Sequence, residues 1–266
     1  MAKTKMLILD IDGTLIARGS QTIRPQVSEA LHQAQRQGIK LLVATGRAYY
    51  FIQQDIHDVL DPDFYVTING QCLIERGKGI IEKQVIPLAT MERLTALCET
   101  LHLGTGYKFD DAVVCQNDFR QFHLGYLKGK DVGNLLIDDT RDKSWQKTHG
   151  LPMGLFIIGE EERVESIRDQ FPELTFTWSY PNGYDVYNTG CDKTTAIASV
   201  LRRLNLRWEE TMAFGDGEND IPMLQKAGVG VAMGNAKEHV RNQADFVAPS
   251  VDEDGVAFAL RHFGLI

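Results

Sequence analysis

The chain has 266 residues, 43% of them hydrophobic and 24% charged, enough for about two domains of roughly 100–200 residues each, with a core that needs neither disulfides nor a structural metal. Such a composition excludes a disordered, collagen-like or disulfide-scaffold chain. Its 28 basic and 36 acidic residues give a net charge of −8, which argues against a face that neutralises a nucleic-acid backbone and leaves room for a small anionic ligand at a locally positive site.

The first apolar run, Met6 to Leu9 and on through Ile11, is too short for a secretory signal or a membrane span and is broken by Asp10 and Asp12. It reads as a strand covered on both faces and ending at Gly13. Val27, Ala30, Leu31 and Ala34 then recur at helical spacing between Pro25 and Gly38, and Ile39 to Ala44 is a second buried strand. Strand, helix and strand in succession predict a βαβ unit in a parallel sheet. A less distinct helix is expected over Tyr49 to Val59. A strand follows from Phe64 to Ile68, and the Asn69-Gly70 turn joins it to a hairpin partner at Cys72 to Glu75.

Beyond about Val85 the pattern changes. Met91, Leu94, Cys98 and Leu101 form a helical stripe, Ala112–Cys115 and Gly154–Ile158 read as strands, and a charged helix runs from about Glu160 to Phe171 with Val164 and Ile167 inward. Leu174–Trp178 and Tyr184–Tyr187 are β-rich, whereas Gly125-Tyr126 and Asn182-Gly-Tyr184 read as surface turns. From Lys193 the helical period returns through Ile197, Val200 and Leu201. Strands at Thr211–Phe214, Val229–Ala232 and Phe246–Ala248 then alternate with helices at Asp220–Lys226 and Gly255–His262. The expected fold is α/β: a doubly wound, mostly parallel, Rossmann-like sheet split between residues 1–84 and 188–266, with a separate α/β module inserted at 85–187. Cys72, Cys98, Cys115 and Cys191 show no paired spacing and read as free thiols of a cytoplasmic protein.

The acidic and polar residues fall at strand ends. Asp10 and Asp12 close the first strand, Thr45 the second and Asp216 a strand of the last third, where open α/β sheets bind ligands. One such aspartate reads most simply as a helix cap or Asx-turn. Together, Asp10, Asp12 and Asp216 make a hard oxygen site suited to Mg²⁺. Lys193 opens a helix against the helix dipole, a placement that a bound phosphoryl group explains, and the Thr45-Gly46-Arg47 turn offers a hydroxyl and amides to phosphate oxygens.

Asp10-Ile-Asp-Gly-Thr14, Thr45-Gly-Arg47, Lys193 and Gly215-Asp-Gly-Glu-Asn-Asp220 resemble, in order, the four motifs of the haloacid dehalogenase superfamily of phosphohydrolases. Ala227-Gly-Val-Gly-Val-Ala-Met-Gly-Asn-Ala236 and Asp252-Glu-Asp-Gly-Val256 are similar to its Cof-type subfamily, which carries a large α/β cap between the second and third motifs. The likeness is close over Met6–Cys72 and from Asn188 onward, and architectural between. One departure is Thr194, where the family usually has glycine after the motif lysine.

The resemblance implies that Asp10 is a nucleophile forming an aspartyl-phosphate and that Asp12 is the acid and base for leaving group and water. It further implies Mg²⁺ held by Asp10, the Asp12 carbonyl and Asp216, and phosphate oxygens held by Thr45, the Ile11 and Gly46 amides, Lys193 and Asn219, with Asp220 in support. The implied partner is a small phosphate ester, with neither nucleic acid nor membrane involved. A response-regulator receiver shares this chemistry, but it is about half as long and has a different motif order; a phosphotransferase or mutase of the same fold would keep every motif.

Overall fold

The computed structural model describes residues 3–266. The chain divides into two compact units. One holds the described residues up to Arg47 together with Phe51–Glu82 and Asp192–Ile266, and the other holds Ala48–Tyr50 and Lys83–Cys191.

In chain order the first unit begins with β1 (Met6–Leu9), α1 (Pro25–Arg36) and β2 (Lys40–Ala44). Pro25 lies in the first turn of α1, where a missing N–H costs no helical hydrogen bond, and Val27, Ala30, Leu31 and Ala34 form the buried stripe. The hairpin of β3 (Phe64–Thr67) and β4 (Cys72–Glu75) follows, and then the edge strand β5 (Gly79–Lys83).

The second unit comprises α2 (Leu88–Thr100), β6 (Gly104–Lys108), β7 (Val113–Asn117), α3 (Phe119–Tyr126) and β8 (Leu136–Asp138). It continues through α4 (Gln146–His149), β9 (Gly154–Ile158), α5 (Glu161–Arg168), β10 (Leu174–Tyr180) and β11 (Gly183–Asn188). The first unit resumes with α6 (Lys193–Leu204), β12 (Thr211–Gly215), α7 (Ile221–Lys226) and β13 (Val229–Ala232), and ends with α8 (Glu238–Arg241), β14 (Phe246–Val247) and α9 (Gly255–His262).

The first unit's sheet has the order β14-β13-β12-β1-β2-β3-β4-β5, parallel from β14 to β3 and reversed at β4. Met6, Ile8, Leu42, Ala44 and Ala213 pack on one face with Ile197 and Val200 of α6 and Met223 and Leu224 of α7. The alternate residues Leu7, Leu9, Leu41, Val43, Met212 and Phe214 are equally buried, and α1 packs against β2 and α9. Burial on both faces explains why these strands read as continuous apolar runs. The doubly wound fold is therefore present. Its order reverses beside β1, which pairs with β2 on one side and with β12, some 200 residues later, on the other.

The second unit's sheet has the order β10-β11-β9-β6-β7-β8, antiparallel except for β7 with β8. Met91, Leu94 and Cys98 of α2 and Val164 and Ile167 of α5 pack with Tyr107, Leu155 and Ile157 on one face. On the other face α3 lies against β6, where a Cβ on Gly106 would come within 2.1 Å of the Phe122 ring.

Several expectations change. The helix expected over Tyr49–Val59 is instead a 3₁₀ turn at Tyr49–Phe51 and a wide π turn at Ile56–Leu60, and where the first ends the Arg47 guanidinium donates to the Phe51 carbonyl at 2.9 Å. The strand expected to reach Ile68 stops at Thr67, since Ile68 has φ 51°. Gly125-Tyr126 is no surface turn: it is the last turn of α3, packed against Ile158. Tyr184 is a buried residue of β11, and only Asn182, at φ 63°, keeps turn geometry. The charged helix ends at Arg168, and α7 begins one residue later than expected, after a 3₁₀ turn at Glu218–Asp220.

Candidate active site

Asp10, Thr45 and Asp216 each stand immediately after a strand, β1, β2 and β12 in turn, so three adjacent parallel strands deliver them to one sheet edge. Asp10 is buried, and its Oδ1 accepts from Lys193 Nζ at 2.7 Å. The same ammonium donates to Asp220 Oδ1 at 2.7 Å. The other oxygen of Asp220, Oδ2, accepts from the backbone N–H groups of Asp216 at 3.0 Å and Gly217 at 2.9 Å, so both Asp220 oxygens are engaged.

Lys193 is the first residue of α6, capped by Asp192, whose Oδ1 accepts from the Thr195 N–H. An ammonium there opposes the helix dipole, and the two carboxylates it bridges offset that cost. Burial pulls the Lys193 pKa down, but the charges of Asp10 and Asp220 outweigh it and hold the pKa above the ordinary lysine value. Thr194, in place of the usual glycine, fits without disturbing its neighbour: its hydroxyl donates to Asp192 Oδ1 at 2.7 Å and accepts from Lys226 Nζ at 3.0 Å.

Carboxylate oxygens of Asp10, Asp216 and Asp220 lie within 4.8 Å of one another, all three residues buried. Burial, and then the Asp220 charge, push Asp10 well above the usual carboxylate range despite Lys193, and the same two causes push Asp216 up to about 6. Arg18, largely exposed, reaches Asp216 Oδ2 at 3.3 Å from the rim. Three carboxylates against one buried ammonium leave the cluster negative, and hard oxygen donors with unspent charge suit a divalent cation.

Asp12 lies apart from this cluster. It forms a two-pronged ion pair with Arg47, at 2.6 Å from Nε and 2.7 Å from Nη2, with both side chains about one third exposed. Thr45 Oγ1 accepts from the Arg47 N–H at 3.1 Å, and the Ile11 carbonyl closes a tight turn by accepting from Thr14, Leu15 and Ile16. Asn219 is held by Asn69, its Nδ2 donating to Asn69 Oδ1 at 2.9 Å.

A family model of haloacid dehalogenase-like hydrolases matches residues 7–260. The chain belongs to that family. This hydrolase is 30% identical to YkrA of Bacillus subtilis over 99% of both chains. It is 28% identical to the 5-amino-6-(5-phospho-D-ribitylamino)uracil phosphatase YcsE of the same organism, over 98% of this chain and 96% of that one. The sugar phosphatase BT4131, of haloacid dehalogenase subclass IIB, has the same fold with a TM-score of 0.87, 30% identity and coverage of 99% and 100%. The haloacid dehalogenase-like chain is therefore a phosphohydrolase.

Four residues of this hydrolase meet the expected site residues without having been assigned a part from sequence: Arg18 at Asp216, Arg47 at Asp12, Asn235 at Asp216 and Asn69 at Asn219. Arg47 was legible as the third member of Thr45-Gly46-Arg47, but its pairing with Asp12 was not. Asn235, inside the Gly-Asn-Ala run, donates from Nδ2 to the Gly13 carbonyl at 2.9 Å and to Asp216 Oδ2 at 3.4 Å, and its Oδ1 accepts from the Val251 N–H. Asn69 was hidden because Asn-Gly also reads as an ordinary turn.

Proposed function

We propose that this phosphohydrolase cleaves a small phosphorylated metabolite, a sugar phosphate, nucleotide or phosphorylated cofactor, by way of a phosphoryl group carried on Asp10. The carrying observation is the state of Asp10: Lys193 holds Oδ1, while Oδ2 accepts no hydrogen bond among the described residues. An oriented carboxylate with one oxygen free is an attacking group in place. Oδ2 forms the bond to phosphorus, and the bond to the leaving oxygen breaks with its electron pair. Asp12 protonates that oxygen and then takes a proton from the water that hydrolyses the acyl phosphate. Arg47 holds both Asp12 oxygens, so Asp12 leaves that pair and takes up a proton from solvent before it serves as the acid.

Thr45, the Ile11 and Gly46 amides, Lys193 and Asn219 hold the phosphoryl oxygens in this reading. The acidic cluster fits Mg²⁺, with Asp10, the Asp12 carbonyl and Asp216 as its ligands; Asp220 acts from behind, because Lys193 and two N–H groups already occupy its oxygens. A bound Mg²⁺ supplies positive charge where phosphoryl oxygens gain negative charge. The α/β insert, about residues 85–187, is the Cof-type cap that excludes water and reads the leaving group, and free cysteines suit a cytoplasmic setting. The named substrates of YcsE and BT4131, a phosphorylated pyrimidine and sugars, support the size class.

Hydrolysis of p-nitrophenyl phosphate should require added Mg²⁺, vanish in Asp10→Asn, and fall about 10²–10⁴-fold in Asp12→Asn. Full activity of Asp10→Asn, or of the wild type in EDTA, would sink the mechanism.

A further inference from the structure

The end of β3 carries a conformational cost that the hairpin itself does not need. Ile68, Asn69 and Gly70 have successive φ values of 51°, 53° and 103°. The left-handed region is unfavourable for a β-branched residue such as Ile68, and backbone of this kind persists only where the surroundings over-determine it. They do so here. The Ile68 N–H donates to the Arg47 carbonyl at 2.9 Å and the Asn69 N–H to the Thr45 carbonyl at 3.1 Å. Gly70 lies so close to the start of α6 that a Cβ would be 2.1 Å from the Asp192 carbonyl oxygen.

The product of this strain is the position of one side chain. Asn69 is 2% exposed, and its carboxamide lies over Gly46, where a Cβ would meet Asn69 Nδ2 and Oδ1 at 3.2 Å each. Oδ1 accepts from Asn219, whereas Nδ2 donates to no group among the described residues. Nδ2 is not one of the fully buried atoms left without a partner, so it lies open to an incoming acceptor.

We infer that Asn69 is a further residue of the phosphoryl site, fixing Asn219 through Oδ1 and offering its Nδ2–H groups to a phosphoryl oxygen beside Gly46. The inference rests on the proposed roles of Gly46 and Asn219. It explains why strained backbone is kept here: the strain aims a neutral donor at the Gly46 turn without adding a titrating group.

The test is competitive inhibition of p-nitrophenyl phosphate hydrolysis by inorganic phosphate and by vanadate. Asn69→Gly suits the left-handed backbone and removes only the side chain. It should raise both inhibition constants about tenfold or more, as for a lost hydrogen bond to a charged oxygen, while melting temperature changes little. Asn219→Ala should do the same, and the double variant should be scarcely worse than the weaker-binding single one. Inhibition constants within twofold of wild type in a folded Asn69→Gly protein, or strictly additive effects in the double variant, overturn the inference. If Asn69→Gly fails to fold, Asn69→Asp replaces it. It keeps Oδ1 and tolerates the left-handed backbone but lacks the donor, so unchanged inhibition constants there overturn the inference and raised ones support it. Absence of competitive inhibition in the wild type would instead count against the phosphoryl-site reading as a whole.

Discussion

Each unit buries a lysine, and the two are balanced differently. In the second unit Lys108 pairs with Asp185, whose other oxygen accepts from the Ser179 hydroxyl at 2.8 Å, so that carboxylate has a partner on each oxygen. In the first, Lys193 meets Asp10 and Asp220 while Asp216 stands beside them, and the charges do not close. A carboxylate satisfied in this way can be a packing device, kept or replaced at modest cost. An open one stores electrostatic free energy that a cation or a charged reaction partner can release.

The contrast is sharpest in Lys193→Met against Lys108→Met. Lys193→Met should abolish phosphatase activity and destabilise the fold by about 3–5 kcal/mol in urea titrations near neutral pH, because two deeply buried carboxylates lose their shared counter-charge. Lys108→Met should cost less, since Asp185 keeps Ser179 and some contact with water. Equal losses would break the distinction.

A smaller effect is expected in the pH dependence of the metal-free protein. Asp216 has its folded-state pKa raised to about 6, so between the unfolded value near 4 and about 6 the native state holds the extra proton. Its contribution is therefore fully present at low pH and lost as pH rises through that window, on the order of 1–3 kcal/mol. Asp216→Asn should flatten the profile there, and Mg²⁺ should raise the melting temperature most at the upper end. A Mg²⁺ effect independent of pH would argue against the carboxylate cluster as the site.

The smallest effect belongs to packing in the second unit. Gly106→Ala drives a methyl into the Phe122 ring and should cost about 1–3 kcal/mol by thermal or urea melting.

That glycine also shows where sequence reading runs out. Gly104-Thr-Gly-Tyr-Lys108 argues against a strand, because glycine weakens one, yet it forms β6 with α3 against its glycine face. The requirement is tertiary and leaves no local periodicity. The parallel strands were legible because burial on both faces writes an apolar run into the chain, as in Leu7–Leu9 and Leu41–Ala44. At the site, Asp10, Lys193 and Asp216 were legible as charges at strand or helix ends, positions that need a reason. The Arg47–Asp12 pair and the Asn69–Asn219 bond join residues 35 and 150 positions apart, and no spacing rule reaches that far.

The pairing of β1 on both edges bears on the order in which the chain is built. During synthesis β1 can find β2 soon after both emerge, but its other edge waits for β12, about 200 residues later. At ~5–20 residues per second that is roughly 10–40 s. Over that interval the Lys83–Cys191 stretch of the second unit is completed, while the central strand of the first still shows an open edge of the kind that invites mispairing. Closing that edge also brings Asp216 and Asp220 to Asp10, so the nascent chain acquires its charge cluster and loses the open edge of β1 in the same event.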